Sequence, residues 1–145
     1  MKKEFIGMWL KTRIIKYRQK DTEKIKSMIN SAEINARVTK TIKINEDTAT
    51  LIFREIYESI RQIGDAKWGL LGYELTNHEI SLEALKEFDI NDKVKLNSLD
   101  RFKKIRNDIN YRGFRATISQ AEEILYFWDK LGEEIIQILR KEIDN

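Results

Sequence analysis

Residues 48–64 read TATLIFREIYESIRQIG and carry the clearest structural pattern in the chain. Aliphatic residues recur there at intervals of three and four: Ile52, Ile56, Ile60 and Ile63. This spacing places their side chains on one face of an α-helix. Asp47 or Thr48 is a candidate N-cap, and Gly64 is either a C-cap or a tolerated kink. The stretch therefore predicts a long helix with one strongly apolar face.

Similar spacing on both sides of this stretch predicts further helices. A basic amphipathic helix is expected over residues 4–18, a second after the candidate cap Asp21, another after Ser98 and a last one after Ser119. No segment has a convincing strand pattern, and proline is absent. The fold predicted is all-α, an up-and-down bundle of four to five principal helices. Residues 1–145 form one domain, with residues 1–20 as an N-terminal basic helix and residues 21–145 as the bundle.

Two short motifs predict helix starts by their form. Thr76-Asn77-His78-Glu79 and Ser119-Gln120-Ala121-Glu122 both match the capping box, in which a Ser or Thr precedes a Glu by three residues. The first is expected to open a short helix, and the second is expected to open the last helix of the bundle.

Composition limits the class of protein. The chain has 145 residues, of which 41% are hydrophobic and 35% charged, enough for a soluble domain with a real core. It has no cysteine, so a disulfide frame and a cysteine-ligated metal are excluded. The apolar run at residues 5–10 is far shorter than a membrane span. We expect a cytoplasmic protein without a membrane anchor.

Positive charge is concentrated in two segments. Residues 1–44 carry twelve Lys or Arg against four acids, and residues 101–115 carry six against one, whereas the overall net charge is only +3. The two segments could form one basic face, or they could attract a second subunit. The sequence leaves both readings open.

The second basic segment contains the candidate site. Arg106, Asn107, Tyr111 and Arg112 stand near a helix end marked by Gly113. Guanidinium groups match phosphate geometry in a fork, so these four residues are candidate phosphate ligands. Three of them also have a structural reading: Arg106 could pair with Asp108 or a neighbouring helix, Asn107 could cap the helix, and Tyr111 could anchor the core with an exposed hydroxyl.

The layout resembles the HEPN superfamily, small helical bundles of bacterial and archaeal toxin and defence systems. The resemblance covers about residues 21–140. It rests on the Tyr57 helix, on residues 72–79, which resemble the family's small-residue turn before a His-led helix, and on the Arg-x-x-x-x-Tyr ending at Arg106 and Tyr111. It implies a homodimer that binds RNA or a nucleotide, in a toxin–antitoxin or defence module with a nucleotidyltransferase-type partner.

The chain departs from the nuclease members of that family at one position. Those members carry Arg followed four to six residues later by His, and this sequence has Tyr111 where the His would stand. A phenol ionises near pH 10 and imidazole near 6.5, so Tyr is a poor base near neutrality. The branches without the His are generally regarded as non-catalytic or of unknown activity. We therefore expect a binding protein, with a metal-independent endoribonuclease as the alternative.

His78 is the only histidine in the chain. In the ribonuclease alternative, His78 or Tyr111 replaces the missing motif His beside Arg106; His78 can do so if the fold brings it to Arg106, and it is a structural residue otherwise. No metal and no cofactor are expected, because His78 has no acidic pair at ligand spacing around it. Arg54 and Arg61 are candidates for the rim of the site. A third reading is a helical protein–protein adaptor that uses its acidic middle and basic ends.

Overall fold

The computed structural model describes residues 3–145. It contains six α-helices, two short strands and two 3₁₀ helices, in this order: α1 (Lys3–Lys11), β1 (Ile15–Tyr17), α2 (Thr22–Thr39), α3 (Ala49–Leu70), β2 (Tyr73–Leu75), 3₁₀ turns at Ser81–Glu87 and Lys93–Asn97, α4 (Ser98–Arg112), α5 (Ile118–Phe127) and α6 (Glu133–Ile143). A π-helical segment, Trp128–Gly132, joins α5 to α6. The predicted helical class is confirmed.

The long helices alternate in direction. Ser59 on α3 donates to the carbonyl of Ala32 on α2, and Gly69 lies against Ile25, so these two helices are antiparallel. Arg54 contacts Asn110 and Tyr57 lies under Arg106, so α3 and α4 run in opposite directions as well. The last rod starts beside Thr50, which accepts from the Ala116 N–H, and ends beside Lys67, which pairs with Glu142, so it runs parallel to α3 and antiparallel to α4. The chain therefore forms an up-and-down arrangement of four helical rods.

Helix α3 lies at the centre of the core. It contacts α2, α4, α5, α6 and β2, so its apolar face is covered by several neighbours. The isoleucines whose spacing predicts this helix, together with Phe53, are fully buried: Ile52, Ile56, Ile60 and Ile63. Burial of a face this wide explains why α3 is the longest helix of the bundle. Thr48 stands at its N-cap position, as one of the two predicted alternatives.

The N-terminal segment differs from the prediction. Helix α1 ends at Lys11, Arg13 takes a left-handed φ of 62°, and Ile15–Tyr17 pairs antiparallel with Tyr73–Leu75. The prediction of one helix over residues 4–18 is therefore wrong beyond Lys11, and so is the expectation of no strand. The physical reason is burial: Ile15 pairs with Leu75 and is buried in a small second core with Trp68.

Two predicted capping boxes are also wrong. Thr76 donates its hydroxyl to the carbonyls of Arg13 and Ile14, and the segment after it begins a 3₁₀ helix at Ser81. The last helix is capped by Thr117, which accepts from the Gln120 N–H while the Gln120 side chain accepts from the Thr117 N–H. The real box thus starts two residues before the predicted one. The predicted cap Asp21 is confirmed, since it accepts from the Lys24 N–H.

Gly64 lies inside α3 and does not end it. A Cβ atom built at Gly64 would stand 2.3 Å from the Ser81 carbonyl oxygen, so only glycine allows the Ser81–Glu87 turn to approach the helix this closely. Helix α3 continues to Leu70, and Gly72 follows with φ of 92°. The approach fixes the segment that carries His78 against the middle of α3.

The last rod is one continuous helix with a π-helical segment. Gly132 lies against the indole of Trp128, where a Cβ atom would stand 2.7 Å from the ring. Such segments insert an extra residue into a turn, and here the insertion lets both halves of the rod bury their apolar faces. Within residues 3–145, no helix combines the length and the apolar character needed to span a membrane.

Candidate functional site

Arg106 lies near the end of α4, on the side that faces α3. Its guanidinium carbon is 5.6 Å from the centre of the Tyr57 ring, which is a cation–π distance. Its Nη1 atom donates to the side-chain oxygen of Asn107 at 3.3 Å. Within residues 3–145 no carboxylate forms an ion pair with Arg106. The predicted pair with Asp108 is therefore wrong, whereas the alternative of a contact with a neighbouring helix agrees with the position of Arg106 over Tyr57 of α3.

Tyr111 and Arg112 point into solvent at the end of the same helix. Tyr111 is 77% exposed, so the reading of this residue as a core anchor is wrong. Ile109 is the residue that turns inward, and a position two residues later lies on roughly the opposite side of a helix. Arg112 is 3.8 Å from Asp108 and 5.0 Å from the Phe114 ring centre. Helix α4 ends at Gly113 with φ of 70°, so Asn107 does not cap it.

The antiparallel crossing of α3 and α4 brings polar side chains together in a row, which we call the α3–α4 strip: Arg54, Tyr57, Glu58 and Arg61 from α3, and Lys103, Arg106, Asn107 and Asn110 from α4. The Arg54 Nε atom donates to Asn110 at 3.2 Å. Lys103 donates to the carbonyl and the carboxylate of Glu79 at 2.6 and 2.8 Å. Both sets of positions recur at three and four residues, so each lies on one helix face.

One end of this strip is a cluster of ionisable groups around Arg61. Its Nη1 atom donates to Asp65 at 2.5 Å and lies 2.7 Å from the Nδ1 atom of His78. Its Nε atom donates to Glu58 at 2.9 Å, and its Nη2 atom forms a further bond to the same carboxylate. His78 Nδ1 is also 3.1 Å from Asp65. We call Glu58, Arg61, Asp65 and His78 the Arg61 cluster.

His78 and Arg106 both lie near Glu58: Arg106 lies over the adjacent Tyr57 ring, and His78 contacts Arg61, which binds Glu58. Hydrogen bonding to Arg61 is the largest cause that lowers the pKa of Glu58, and the charges of His78 and Arg106 lower it further. Both groups therefore act on one carboxylate, although they are far apart in sequence. Arg61, predicted only as a rim residue, contacts both Glu58 and His78, and the other predicted rim residue, Arg54, contacts α4 directly.

Burial is the largest cause of the pKa shifts of two other groups, Tyr57 and Asp65. It raises the pKa of Tyr57 to about 12, against the opposing effect of the Arg106 and Arg61 charges. It also raises the pKa of Asp65, while the Ser81 hydroxyl and Arg61 favour the ionised form. Tyr57 therefore stays a neutral phenol beneath Arg106 at physiological pH, and presents a ring face to the cation.

A cavity of about 320 Å³ adjoins the Arg61 cluster, between α3, the start of α2 and strand β2. Its polar wall consists of Arg61, Gln62, Asp65 and His78, and its apolar wall includes Ile25, Met28 and Leu75. Arg18 and Lys24 also line it, and Arg18 is held by Glu74 at 2.7 Å.

Two buried oxygens on the polar wall have no hydrogen-bond partner within residues 3–145: Gln62 Oε1 and Asp65 Oδ1. The second oxygen of Asp65 is occupied by Arg61 and His78. A buried acceptor without a donor costs about 1–3 kcal/mol, so such atoms are uncommon and call for an explanation. Both oxygens are buried away from the cavity as well as from solvent, and the Ser81 hydroxyl is the donor that lies next to Asp65.

Sequence reasoning missed Glu58, Gln62 and Asp65. A signal was present, because Glu58, Arg61 and Asp65 stand three and four residues apart, the spacing at which acids and bases pair on a helix. That spacing does not reveal the cavity, which depends on how α2 and β2 approach α3.

Within residues 3–145, no group of three or more His, Asp or Glu side chains is placed to hold a metal ion. The site consists of guanidinium, carboxylate, amide, imidazole and phenol groups. No protein-family model matches the chain, and no curated protein or solved structure matches it either. The chemistry of the α3–α4 strip is therefore the basis for assigning a function.

Proposed function

We propose that the protein binds RNA or a nucleotide through its phosphates, at the end of the α3–α4 strip that carries Arg106. The observation behind this proposal is that Arg106 is held in place without a carboxylate partner within residues 3–145. An arginine that is positioned but not neutralised retains its charge for an anion. The neighbouring cations Arg54 and Arg112 are exposed and extend the positive surface.

Other members of the basic run are already occupied. Arg101 pairs with Glu123, Lys103 binds Glu79, and Arg115 donates to the carbonyl of Asp47. These contacts hold α4 against its neighbours. They support Arg106 as the phosphate ligand of this segment, with Asn107 as an amide that orients its guanidinium.

Tyr111 supports a single-stranded ligand. Its ring is 77% exposed at the end of the same helix, where an unstacked base could lie against it. Stacking on an aromatic side chain is worth about 1–3 kcal/mol per base and tolerates any sequence. Bases inside a duplex are already stacked and would not gain this contact.

The test is RNA binding by the wild type and by Arg106→Ala at two salt concentrations. We expect salt-sensitive binding by the wild type and about tenfold weaker binding by the variant, with the salt slope reduced by about one. Arg37→Ala is the matched control, because Arg37 is an exposed arginine on α2 outside the strip. Equal affinity of the wild type and Arg106→Ala would overturn the proposal and would favour a protein–protein adaptor.

A metal-independent ribonuclease is the second candidate, supported by the position of His78. Its Nδ1 atom contacts Asp65 and Arg61, and its Nε2 atom has no hydrogen-bond partner within residues 3–145. In this reaction the imidazole would take the proton of a ribose 2′-hydroxyl as that oxygen attacks the phosphorus, while Arg106 steadies the phosphate. The departing 5′-oxygen would receive a proton from an acid.

Incubation of pure protein with mixed RNA in EDTA tests this reaction. We expect a ribonuclease to produce fragments near neutral pH and His78→Ala to produce none. Asn77→Ala is a control, since Asn77 lies next to His78 on the same segment and accepts only from the Glu79 N–H. Intact RNA across a pH series would leave binding as the function.

We further propose, on the HEPN resemblance alone, a homodimer in a toxin–antitoxin or defence module with a nucleotidyltransferase-type partner. Light scattering of the purified chain tests the dimer, and copurification with a coexpressed nucleotidyltransferase tests the partner. A monomer at all concentrations would contradict the first, and separate elution would contradict the second.

A further inference from the structure

We propose that residues 111–115, Tyr-Arg-Gly-Phe-Arg, form a stacking platform for a single RNA strand, with one base on each of its two aromatic rings. We call these residues the aromatic–arginine turn. This inference rests on the proposed function and narrows its ligand from RNA or a nucleotide to a single strand that continues past the phosphate site at Arg106.

The two rings of this turn are exposed and do not hold the fold together. Tyr111 is 77% exposed and Phe114 is 52% exposed, and neither belongs to the large or to the small hydrophobic core. Within residues 3–145 neither ring packs against another aromatic ring. Two exposed rings three residues apart therefore offer surfaces on which the bases of a strand can stack.

The backbone fixes the position of Phe114. Gly113 ends α4 with a left-handed φ of 70°, and the N–H groups of Gly113 and Phe114 both donate to the carbonyl of Asp108. On the other side of the turn, the Ala116 N–H donates to the Thr50 hydroxyl at 3.0 Å. The turn is thus ordered before any ligand arrives, which lowers the entropy cost of binding.

Guanidinium groups alternate with the rings. The Arg112 guanidinium carbon lies 5.0 Å from the centre of the Phe114 ring, a cation–π distance. Arg115 is exposed, and its hydrogen bond goes to the carbonyl of Asp47, which does not neutralise its charge. Residues 106–115 carry three arginines against one acid. Rings and cations in one row match the bases and phosphates of a strand, whereas an apolar protein partner would leave these charges unpaired.

The position of the turn relative to Arg106 supports one continuous ligand. Tyr111 lies five residues beyond Arg106 on α4, about 7.5 Å along the helix axis at 1.5 Å per residue. Asn110 stands between them and binds Arg54 of α3, which adds a further cation beside the turn. A strand held by one phosphate at Arg106 can therefore place its neighbouring nucleotides on the turn, and a free nucleotide is too short to contact both rings as well.

The test measures binding of a short labelled RNA, single-stranded or annealed to its complement, to the wild type, Tyr111→Leu and Phe114→Leu. Leucine keeps an apolar side chain and removes the ring. We expect each variant to bind the single strand about tenfold more weakly, with the salt slope of the wild type, because stacking releases no counterions. Binding of the duplex should not change. Tyr17→Leu is the matched control, since Tyr17 is 74% exposed on β1, outside the strip and the turn.

The salt slope separates this inference from the proposed function, because Arg106→Ala should reduce that slope by about one. Wild-type affinity of both ring variants for the single strand, or an equal loss on the duplex, would overturn the platform; weaker binding by Arg106→Ala would then still support the phosphate site. A loss in the ring variants with none in Arg106→Ala would overturn the phosphate site instead. If the wild type binds no RNA, the platform is overturned, and only Arg106-dependent binding of AMP would preserve the proposed function. Melting curves verify that the variants fold.

Discussion

Arg61 is the residue on which the candidate site depends. It is mostly buried, with a side-chain exposure of 13%, and it binds two carboxylates and touches an imidazole. A buried cation is tolerated only when its charge and its donors are matched. Glu58 and Asp65 supply that match, so neither is free to vary independently of Arg61.

Tyr57 gives the site a measurable pH signature. The folded protein holds the phenolic proton up to about pH 12, whereas an unfolded tyrosine loses it near 10. Folding stability from this group is complete below pH 10 and is lost as the pH rises towards 12. We expect Tyr57→Phe to reduce the alkaline loss of unfolding free energy by on the order of 2 kcal/mol.

Urea unfolding at a series of pH values between neutrality and pH 11.5 measures this effect. Tyr111→Phe is the matched control, because its ring is exposed and should leave the alkaline profile of the wild type unchanged. A wild-type profile in Tyr57→Phe would show that the Tyr57 proton does not contribute to stability.

At the scale of single residues, the sequence shows which charged residues belong to the candidate site more readily than it shows what each of them contacts. It singles out Arg106 and Arg112 as candidate phosphate ligands by the basic run and the helix end at Gly113, without showing which of them is paired. It misjudges Tyr111, because an aromatic residue near an apolar stripe looks like core, and only the exact helical phase shows that Ile109 is the buried position. It cannot reveal Gln62, whose interest lies in a missing hydrogen bond.

At the scale of the secondary-structure elements, the start of a helix depends both on local capping residues and on contacts with segments far along the chain. The Asp21 cap is local, and the sequence predicts it correctly. The Thr76 motif has the right form for a cap, but its hydroxyl is used by the neighbouring carbonyls of Arg13 and Ile14. The strand pair is missed because each strand has three residues and its partner lies far along the chain, without a hairpin turn to mark it.

At the N-terminus of α5, the observed capping residue Thr117 and the predicted one, Ser119, can be compared by mutation. Thr117→Ala removes the side-chain acceptor of the Gln120 N–H, so we expect a loss of about 1 kcal/mol in unfolding free energy. Ser119→Ala alters the residue that the sequence pattern favours, and it should change stability by less than about 0.5 kcal/mol. Chemical denaturation of the two variants and the wild type measures the difference. Similar losses in both variants would contradict the assignment.

At the scale of the whole molecule, the described residues form two hydrophobic cores of unequal size, and each stabilises its own part of the fold. The large core surrounds α3, and the small one consists of Ile15, Trp68, Ile80 and Ala84 with partly buried neighbours from α1. Helix α1 has no buried residue of its own, and Phe5 and Met8 are about half exposed. Trp68, which donates to the Ile80 carbonyl at 3.0 Å within the small core, lies on α3, the helix that the large core surrounds.

We expect hydrogen exchange to follow this division. Amides of α1 should exchange by local opening, long before those in the middle of α3, which require global unfolding. Mass spectrometry of exchange under native conditions measures both segments in one experiment, with peptides of α2 as an internal reference. Equal protection of α1 and α3 would show that the two cores unfold as one unit.

The π-helical segment at Trp128–Gly132 makes the last rod sensitive to its length. Because an α-helix turns about 100° per residue, inserting one further residue there would rotate everything that follows by that angle. Ile135, Ile136 and Leu139 would then leave the core, and Arg140 would leave Glu33. Deleting one residue would instead let the wide turn close into a regular α-turn, so over evolution this segment should accept the loss of a single codon more readily than a gain.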